Sequence, residues 1–386
     1  MNRHENKILI ITRHYLDENN GGSNGSKAYI RALSELYPDC ALMYPEHVDK
    51  KSVEFIPNGV KAIPCYDHRS KWKKGFDVYR GILHRFSGFV AKHIDSNKYD
   101  IVVIDHSHTA NGVIGNVKKQ GSKVVTIHHN NESQYFRDNK PGVLYRWPFI
   151  HYSEKAERDA LLMSDLNITV TEKDAREFRE WYPGRNIHCH NMGTFQYQDL
   201  PSEIQDDGIR NCQTFAITGS MNFQQSQQPV IQFVERYLPL LLRKIPQAKL
   251  IIAGRDPSVS IQKVCAKHPE ITLIPNPVDI GAVISQADIY VCPTDTGSGV
   301  KLRVMDGLKI GIPILGHSVS LNGYEAIKKD GFFFDYNDES SFERSLDEVV
   351  SLQYKKQQVY DSFLSYFGFE AGKRRLKEIL QKENLI

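Results

Sequence analysis

The stretch YVCPTDTGSGVKLRVMDGLKIGIPILG, at residues 290–316, predicts a strand, a glycine-rich turn, a helix and a second strand. The two glycines of its Gly-Ser-Gly turn would allow the backbone to come close to a ligand. The helix predicted over residues 302–308 would present unpaired N–H groups and the positive end of its dipole. Lys301 and Arg303 add two full positive charges there. The stretch therefore predicts a binding site for an anion such as a pyrophosphate.

Short apolar runs alternate with helical patterns along the rest of the chain. The predicted strands are residues 7–12, 100–105, 123–127, 166–170, 214–219, 249–254, 271–275, 289–293, 312–316 and 331–335. Runs that are apolar on both faces and separated by helices are typical of parallel sheets covered on both sides. Ligands of such sheets lie beyond the carboxyl ends of the strands. In the first half, this rule selects the segments at 21–22, 105–107 and 128–132.

A polar segment without periodicity, residues 198–212, separates the two halves and is the predicted linker. A chain of 386 residues is longer than one core normally serves, so two domains are expected. We predict an N-terminal domain over 1–197, a C-terminal domain over 213–355 and a helical tail over 356–386 that could pack back on the N-terminal domain.

Composition narrows the classes of protein that the chain can belong to. With 40% hydrophobic and 25% charged residues it can bury a sizeable core, and a net charge of +3 is too small to indicate a nucleic-acid partner. No apolar run approaches the roughly 20 residues that span a bilayer, and no signal-peptide core follows residues 1–7. We therefore expect a cytoplasmic protein. The six cysteines lie far apart without CxxC spacing and are expected to be reduced core residues.

The second half resembles the nucleotide-sugar-binding domain of the GT-B glycosyltransferases, specifically the large retaining family numbered four. The matching pieces are ITGSMNFQQSQQPVIQFVERYLPLL, LIIAGRDP, ADIYVCPTDTGSGVKLRVMDGLKIGIPIL and NGYEAI. The first half resembles the family's acceptor domain through the Gly-Gly loop after the first strand, HNNE at 129–132 and HNMG at 190–193. The resemblance implies an α/β protein of GT-B fold, in which two Rossmann-like domains face each other across a cleft.

The chain departs from the family pattern at one acidic position. Members commonly carry two glutamates in the loop and helix, and here those positions fall on Ser298 and Asp306. Asp306 could accept hydrogen bonds from a ribose diol, whereas Ser298 offers a hydroxyl but no charge. The chain instead resembles the subgroup with a Gly-Ser-Gly-Val-Lys loop, in which Lys301, Arg303 and Arg255 would hold the diphosphate.

The resemblance implies a set of site residues. The implied catalytic residues are His129, Ser298 and Lys301. The implied donor-binding residues are Gly22, Arg255, Val278, Ser298, Gly299, Val300, Lys301, Arg303 and Asp306. The implied acceptor-binding residues are Gly21, Gly22, His106 and Asn130. The backbone at 276–278 would contact the base. The family's reaction is usually drawn with the leaving phosphate assisting deprotonation of the acceptor, so no protein base is required.

Each of these residues also has an ordinary structural explanation. Lys301 and Arg303 could form the solvated face of a helix, Asp306 could pair within its helix, and Glu132 could cap a turn. The Gly-Gly loop after the first strand could be only a turn.

No metal or cofactor is expected beside the nucleoside diphosphate sugar. Fixed cations can stabilise a departing diphosphate without a metal. The sequence lacks an Asp-x-Asp motif, since its Asp206-Asp207 pair lies in the predicted linker. The string His188-Cys189-His190 is a weak metal candidate, because strand alternation would place Cys189 opposite the two histidines.

Residues 68–93 carry seven Lys or Arg residues interleaved with five aromatic residues, against one acidic residue. Such a stretch could contact the inner face of an anionic membrane, which would favour a lipid-linked saccharide acceptor. A core helix with a solvated basic face explains the pattern almost as well.

These observations favour a glycosyltransferase that moves a hexose-type sugar from a nucleoside diphosphate sugar to a saccharide or lipid-linked saccharide. Retention of anomeric configuration and a place in bacterial surface glycan synthesis follow from the resemblance alone. Two alternatives remain open: a sugar-nucleotide epimerase of GT-B fold, and a non-catalytic nucleotide-sugar-binding partner.

Overall fold

The computed structural model describes residues 6–18, 20–47, 55–84, 86–139, 146–205, 208–222, 224–297 and 299–386. The chain forms two compact units. The first contains Met1–Asp199, Gly297–Gly299 and Phe367–Ile386, and the second contains Leu200–Thr296 and Val300–Tyr366. Each unit is built around one parallel sheet accompanied by helices. The prediction of two Rossmann-like α/β domains is confirmed.

The first unit is organised around a seven-stranded sheet, counted over the described part of the chain. Its strands are β1 (Ile8–Thr12), β2 (Cys40–Glu46), β3 (Lys61–Tyr66), β4 (Ile101–Asp105), β5 (Lys123–His128), β6 (Leu166–Thr169) and β7 (Cys189–Asn191). Their spatial order is β3-β2-β1-β4-β5-β6-β7, with parallel pairing throughout. The strand order reverses between β1 and β4, and such a switch point opens a crevice beyond the carboxyl ends of the strands.

Helices cover both faces of this sheet. They are α1 (Gly21–Leu36), α2 (Lys71–Tyr79), α3 (Ser87–Ser96), α4 (Ser107–Ala110), α5 (Ile114–Lys119), α6 (Glu132–Asn139), α7 (Arg146–Met163) and α8 (Glu172–Glu180). The alternation of β1 shows the two faces: Ile8 and Ile10 lie in one apolar cluster, and Leu9 and Ile11 lie in another. Because every residue of β1 is buried, both clusters need helices to exclude water.

The second unit contains a six-stranded parallel sheet within the described residues. Its strands are β8 (Thr214–Ser220), β9 (Lys249–Arg255), β10 (Ile271–Pro275), β11 (Ile289–Cys292), β12 (Ile314–His317) and β13 (Phe333–Tyr336). Their order is β10-β9-β8-β11-β12-β13, so the switch point lies between β8 and β11. The carboxyl ends of β9, β8 and β11 are therefore neighbours.

The helices of the second unit follow the strands in alternation. They are α9 (Gln224–Gln232), a π-helical segment (Phe233–Tyr237), α10 (Leu238–Lys244), α11 (Val259–Cys265), α12 (Ile280–Ile284), α13 (Arg303–Leu308), α14 (Ser318–Leu321), α15 (Glu325–Lys329), α16 (Glu339–Ser351) and α17 (Lys356–Phe367).

The last helix, α18 (Phe369–Lys382), belongs to the first unit and packs against α1. Its Leu376 and Leu380 are buried in the same apolar cluster as Tyr29 of α1. Gly372 permits a close approach, because a Cβ there would lie 2.1 Å from Cγ of Phe195. Residues 200–366, which apart from Gly297–Gly299 belong to the second unit, therefore separate α18 in sequence from most of the first unit.

The sequence analysis missed strands β2 and β3. Proline argues against a strand, since it lacks the N–H that a ladder requires, and β2 contains Pro45 while β3 contains Pro64. The sheet tolerates both: β3 is an edge strand, and Pro45 lies beyond the last residue of β2 that pairs with β1. The basic aromatic stretch forms two helices, α2 and α3, and its Phe86 is buried in the core.

Candidate functional sites

In the first unit, polar residues gather beyond the carboxyl ends of β1, β4 and β5. Asp105, the last residue of β4, is buried at their centre. Its Oδ2 accepts hydrogen bonds from Oγ1 of Thr12 at 2.6 Å and from Oγ of Ser26 at 2.5 Å. Its Oδ1 accepts a hydrogen bond from Nε2 of His129 at 2.6 Å. Asp105 thus joins β1, α1 and the loop after β5.

The His129–Asp105 pair is held in its charged form. Burial alone would lower the pKa of His129, but the charge and hydrogen bond of Asp105 outweigh burial and raise that pKa above its ordinary value. Burial likewise works to raise the pKa of Asp105, but the charge of His129 and hydrogen bonds from His129 and Ser26 hold it well below its usual range. The crevice therefore contains a buried ion pair.

A second histidine–carboxylate pair lies beside the first. Nε2 of His106 lies 3.0 Å from Oε1 of Glu132, and Nδ1 of His106 accepts a hydrogen bond from the backbone N–H of His108. These contacts assign the proton of a neutral His106 to Nε2. Burial lowers the pKa of His106, although Glu132 opposes this. His106 also has a φ of 83°, a conformation that is uncommon outside glycine and often marks functional sites.

The Glu132 side chain is fixed by its surroundings. The buried Glu157 accepts hydrogen bonds from the backbone N–H groups of Glu132 and Ser133, at the start of α6. Burial raises the pKa of Glu157 to about 7. Nδ2 of Asn130, predicted to bind the acceptor, donates to Oε1 of Glu132 at 3.1 Å. The structure therefore brings three predicted residues, His106, His129 and Asn130, to one crevice.

His14 is a member of this crevice that the sequence analysis missed. Its ring meets those of His106 and His129 edge-on, with centroids 5.7 and 5.9 Å away. Burial lowers the pKa of His14 to about 3, so its ring is neutral. Its Nε2 is buried without a hydrogen-bond partner among the described residues. The available signal was its position two residues after β1, since the same rule selected the other strand ends.

The Gly-Gly pair, predicted to lie in a loop, instead forms the first two residues of α1 beside His14. Gly22 must lack a side chain, because a Cβ there would lie 2.5 Å from Cε1 of His14. Gly21 is exposed as the first residue of α1, which Asn20 caps by accepting a hydrogen bond from the N–H of Ser23. The two glycines therefore let α1 begin against the histidine cluster.

In the second unit, two arginines lie at the carboxyl ends of neighbouring strands. A Cβ on Gly219 would lie 2.4 Å from Nη2 of Arg303, so the guanidinium rests on the backbone at the end of β8. Arg255 ends β9 and is paired in register with Ser220, the residue after Gly219. Neither arginine forms an ion pair with a described residue. The sheet therefore presents two cations without a carboxylate counterion in the described part of the chain.

Lys301 precedes this position on a loop that is anchored through its backbone. The carbonyl oxygen of Lys301 accepts a hydrogen bond from Oη of Tyr324 at 3.1 Å, and Tyr324 is buried. Gly297 and Gly299 have φ angles of 92° and 69°, in the region that favours glycine. Helix α13 begins at Arg303, one residue later than predicted. Lys301 therefore lies before the helix, and Arg303 is its first residue.

The remaining predicted donor residues differ in their environments. Asp306 accepts a hydrogen bond at 2.8 Å from Lys309, the residue that caps the end of α13, and such a partly exposed pair adds little stability. Val278 is fully exposed on the loop after β10, and Val300 is half-buried. Ser298 lies outside the described residues.

No group of three or more His, Cys, Asp or Glu side chains in the described ranges is arranged to hold a metal ion. Cys189 is buried, while His188 and His190 both reach Glu383 of the segment after α18, at 2.9 and 2.7 Å. All six cysteines are buried. Among the described helices, none combines the length and apolarity needed to cross a bilayer.

Two family models match the chain. The model described as Glycosyltransferase Family 4 matches residues 66–191, and the model described as Glycosyl transferases group 1 matches residues 212–351. Together they cover more than half of the chain. A protein from Klebsiella pneumoniae, described as an uncharacterized 44.6 kDa protein in the cps region, is 22% identical over 336 residues, covering 82% of this chain and 84% of that protein.

Solved structures of other proteins share the fold of this chain. Sucrose-phosphate synthase from Thermosynechococcus elongatus gives a TM-score of 0.66 at 11% identity and covers 98% of both chains. The HepE protein of Anabaena, solved in complex with UDP, gives a TM-score of 0.62 at 10% identity and covers 97% of this chain and 100% of that one. With two family models along its length and two parallel-sheet units, the chain is a glycosyltransferase of GT-B fold that belongs to glycosyltransferase family 4.

Proposed function

We propose that the protein transfers a hexose-type sugar from a nucleoside diphosphate sugar to a saccharide or lipid-linked saccharide acceptor, with retained anomeric configuration and without a metal. A role in bacterial surface glycan synthesis is part of the proposal. The relative from a cps region supports that role loosely, and the UDP complex of HepE supports a uridine nucleotide as the first donor to test.

The placement of Arg303 and Arg255 carries the proposal. As the glycosidic bond breaks, negative charge grows on the departing diphosphate and positive charge grows on the anomeric carbon. Guanidinium groups bind phosphate oxygens through two parallel hydrogen bonds, and their charge stabilises the leaving group. Arg303 is set against the backbone of Gly219, so its position is defined before the donor arrives. Lys301 would add a third positive charge.

The His129–Asp105 pair gives the first unit its catalytic contribution in this proposal. Asp105 fixes Nε2 of His129, and the Nδ1 side of the ring faces Gly25 of α1, where a Cβ would lie 3.3 Å away. Because Gly25 has no side chain, it does not itself cover that side of the ring. We assign His129 to contact with the transferred sugar, where Nδ1–H of its charged ring would donate a hydrogen bond to a sugar hydroxyl.

A thermal-shift panel of UDP-, GDP-, ADP- and dTDP-sugars, each with and without EDTA, tests the proposed donor site. We expect one nucleotide family to raise the melting temperature by several degrees at a concentration well above its Kd, because a ligand that binds only the folded state stabilises it. EDTA should leave the shift unchanged. Loss of the shift in EDTA would contradict metal independence.

Product analysis separates the alternatives. Sugar transfer that requires a saccharide acceptor supports the proposal, whereas UDP release with isomerised sugar and no acceptor would identify an epimerase. Stabilisation by a nucleotide sugar without turnover of any acceptor would identify a non-catalytic binding protein.

We also propose that helix α2 contacts an anionic membrane. Trp72, Phe76 and Tyr79 are 90%, 63% and 53% exposed, and their spacing of four and three residues places them on one side of the helix. Lys71 and Lys73 are exposed on the same helix. Aromatic rings suit the membrane interface, and each cation near an anionic surface contributes about 1 kcal/mol.

Vesicle co-sedimentation tests this contact. The wild-type protein should bind phosphatidylglycerol-containing vesicles and not pure phosphatidylcholine, and a Trp72→Ala/Phe76→Ala variant should bind about tenfold more weakly because the inserted rings are lost. The matched control, Val259→Ala/Val350→Ala, removes two exposed apolar side chains from the second unit and should bind like wild type. Equal binding by all three proteins would disprove the role of α2.

A further inference from the structure

The first unit contains a cavity of about 210 Å³ beside α2. One part of its wall is charged and comes from three segments of the chain. Arg13 follows β1, Asp67 and Arg69 follow β3, and Lys74 lies in α2. None of these four residues is assigned to the donor or to catalysis above.

The other part of the wall is apolar. It comes from Val78 at the end of α2 and from Ile82, Leu83 and the buried Phe86. His84 also lines the cavity, but its ring is held in the wall by a contact from Nε2 to the carbonyl oxygen of Asn111 at 2.6 Å. The cavity therefore has one face of charged hydrogen-bonding groups and one face of carbon.

The charged groups are fixed by their own ion pairs. Nε of Arg69 lies 3.0 Å from Oδ1 of Asp67, and Nη1 of Arg69 lies 2.7 Å from Oδ2 of Asp77. Nζ of Lys74 lies 3.4 Å from Oδ2 of Asp67. Both carboxylates are almost completely buried. With Arg13 included, these five side chains carry one net positive charge.

Size and chemistry select the ligand. Pockets for drug-sized ligands usually have volumes of about 300–1,000 Å³, so this cavity is too small for a nucleotide and suits a single sugar ring. A pyranose presents hydroxyl groups around its rim and an apolar face of C–H groups, which matches the two faces of the wall. The net positive charge favours a ring that bears a carboxylate or phosphate.

Arg13 connects the cavity to the crevice at the end of β1. Nη1 of Arg13 lies 2.7 Å from Nδ1 of His108, whose backbone N–H bonds to His106. A ligand in the cavity would therefore contact the residue adjacent to His14. This continuity links the cavity to the unit whose sequence resembles the family's acceptor domain.

We propose that this cavity binds one anionic sugar unit of the acceptor, a uronate or a sugar phosphate, through Arg13, Arg69 and Lys74. The proposal rests on the proposed glycosyltransferase function. It adds that the acceptor is acidic at the unit held in this cavity.

Saturation-transfer NMR titrations of the full chain with glucuronate, glucose 6-phosphate and glucose test the proposal. At least one of the two anionic sugars should bind about fivefold or more tightly than glucose, a difference of about 1 kcal/mol. The uronate and phosphate arms identify which anionic group the cavity accepts. Lys74→Glu should weaken binding of that sugar about tenfold, because it reverses a charge in the cavity wall.

Lys73→Glu is the matched control. It makes the same charge change one residue earlier in α2, at an exposed residue that does not line the cavity, and should weaken binding less than twofold. Equal losses in the two variants would show that only the general charge of α2 matters, and equal binding of glucose and both anions would overturn the anionic assignment. Nucleotide-sugar stabilisation should persist in both variants. Its absence in wild type would refute the proposed donor site without changing the cavity result.

Discussion

Replacing Lys301 with Ala is expected to lower kcat by about 10²-fold or more with the correct donor, the usual loss when one group that stabilises developing charge is removed. The variant should remain folded, because Tyr324 holds residue 301 through its backbone carbonyl, which the substitution keeps. Arg303→Ala should have a similar effect. Arg303→Lys should recover only part of the activity, since a lysine keeps the charge but loses the planar two-pronged contact with phosphate.

Steady-state kinetics and donor thermal shifts measure this effect together. Lys263→Ala, which removes a lysine from the exposed face of α11, is the control and should retain wild-type activity and donor stabilisation. If the Lys301 and Arg303 variants kept the activity and donor stabilisation of this control, the two residues would be ordinary solvated cations. The donor site would then have to lie elsewhere.

Asp105→Asn is expected to have the second large effect, lowering kcat/KM by about 10²-fold at neutral pH. The substitution removes the charge that keeps the pKa of His129 raised, and burial then lowers that pKa. It also leaves an amide where a buried carboxylate accepted three hydrogen bonds. Breaking a buried pair of this kind costs about 3 kcal/mol of stability.

The pH dependence distinguishes a charge effect from simple damage to the fold. Because the folded-state pKa of His129 is raised, the His129–Asp105 pair stabilises the folded state fully below the ordinary histidine pKa of about 6.5. This stabilisation is lost as the pH rises through the raised pKa. The folded-state pKa of Asp105 is lowered, so the stabilisation by the pair is also lost at acid pH, but only as the pH falls below about 3.9. The stability difference between wild type and Asp105→Asn should therefore shrink from pH 6 to pH 9.

Denaturant unfolding across this pH range, with NMR titration of the His129 ring, checks the expectation. Asp100→Asn is the matched control: Asp100 precedes β4, is exposed, and accepts a hydrogen bond from the backbone of Lys7. It should leave the His129 titration unchanged. A constant difference in unfolding free energy at every pH would show that Asp105 acts only through packing.

The sequence predicted the parallel sheets because their strands are buried on both faces and read as continuous apolar runs. Leu9 and Ile11 look the same in sequence as Ile8 and Ile10, and only the fold assigns them to different clusters. Strands β2 and β3 were not predicted because each contains a proline. A strand accepts a proline only where no neighbouring strand requires a backbone N–H from that position. That condition depends on strand order, which no local pattern records.

At the candidate sites, too, the sequence identified individual residues but not how they pair in space. Position after a strand identified Asp105, His106, His129 and Asn130 as residues that could face the crevice, yet His14 was missed although it also follows a strand. The pairing of His129 with Asp105, and of His106 with Glu132, depends on the register between β4 and β5 and on the start of α6. On the donor side, the sequence showed the charges of Arg303 and Arg255, but their common location follows from the pairing of β8 with β9.

The position of α18 has a consequence for biosynthesis. Residues 8–199, which contain the strands of the seven-stranded sheet, are synthesised well before Leu376 and Leu380. These two leucines belong to the apolar cluster on one side of that sheet. Domains usually fold in the order in which they are synthesised. Here the first unit can be completed only after residues 200–366 have been made. The apolar surface around Tyr29 therefore stays uncovered, and open to aggregation, until α18 has been synthesised.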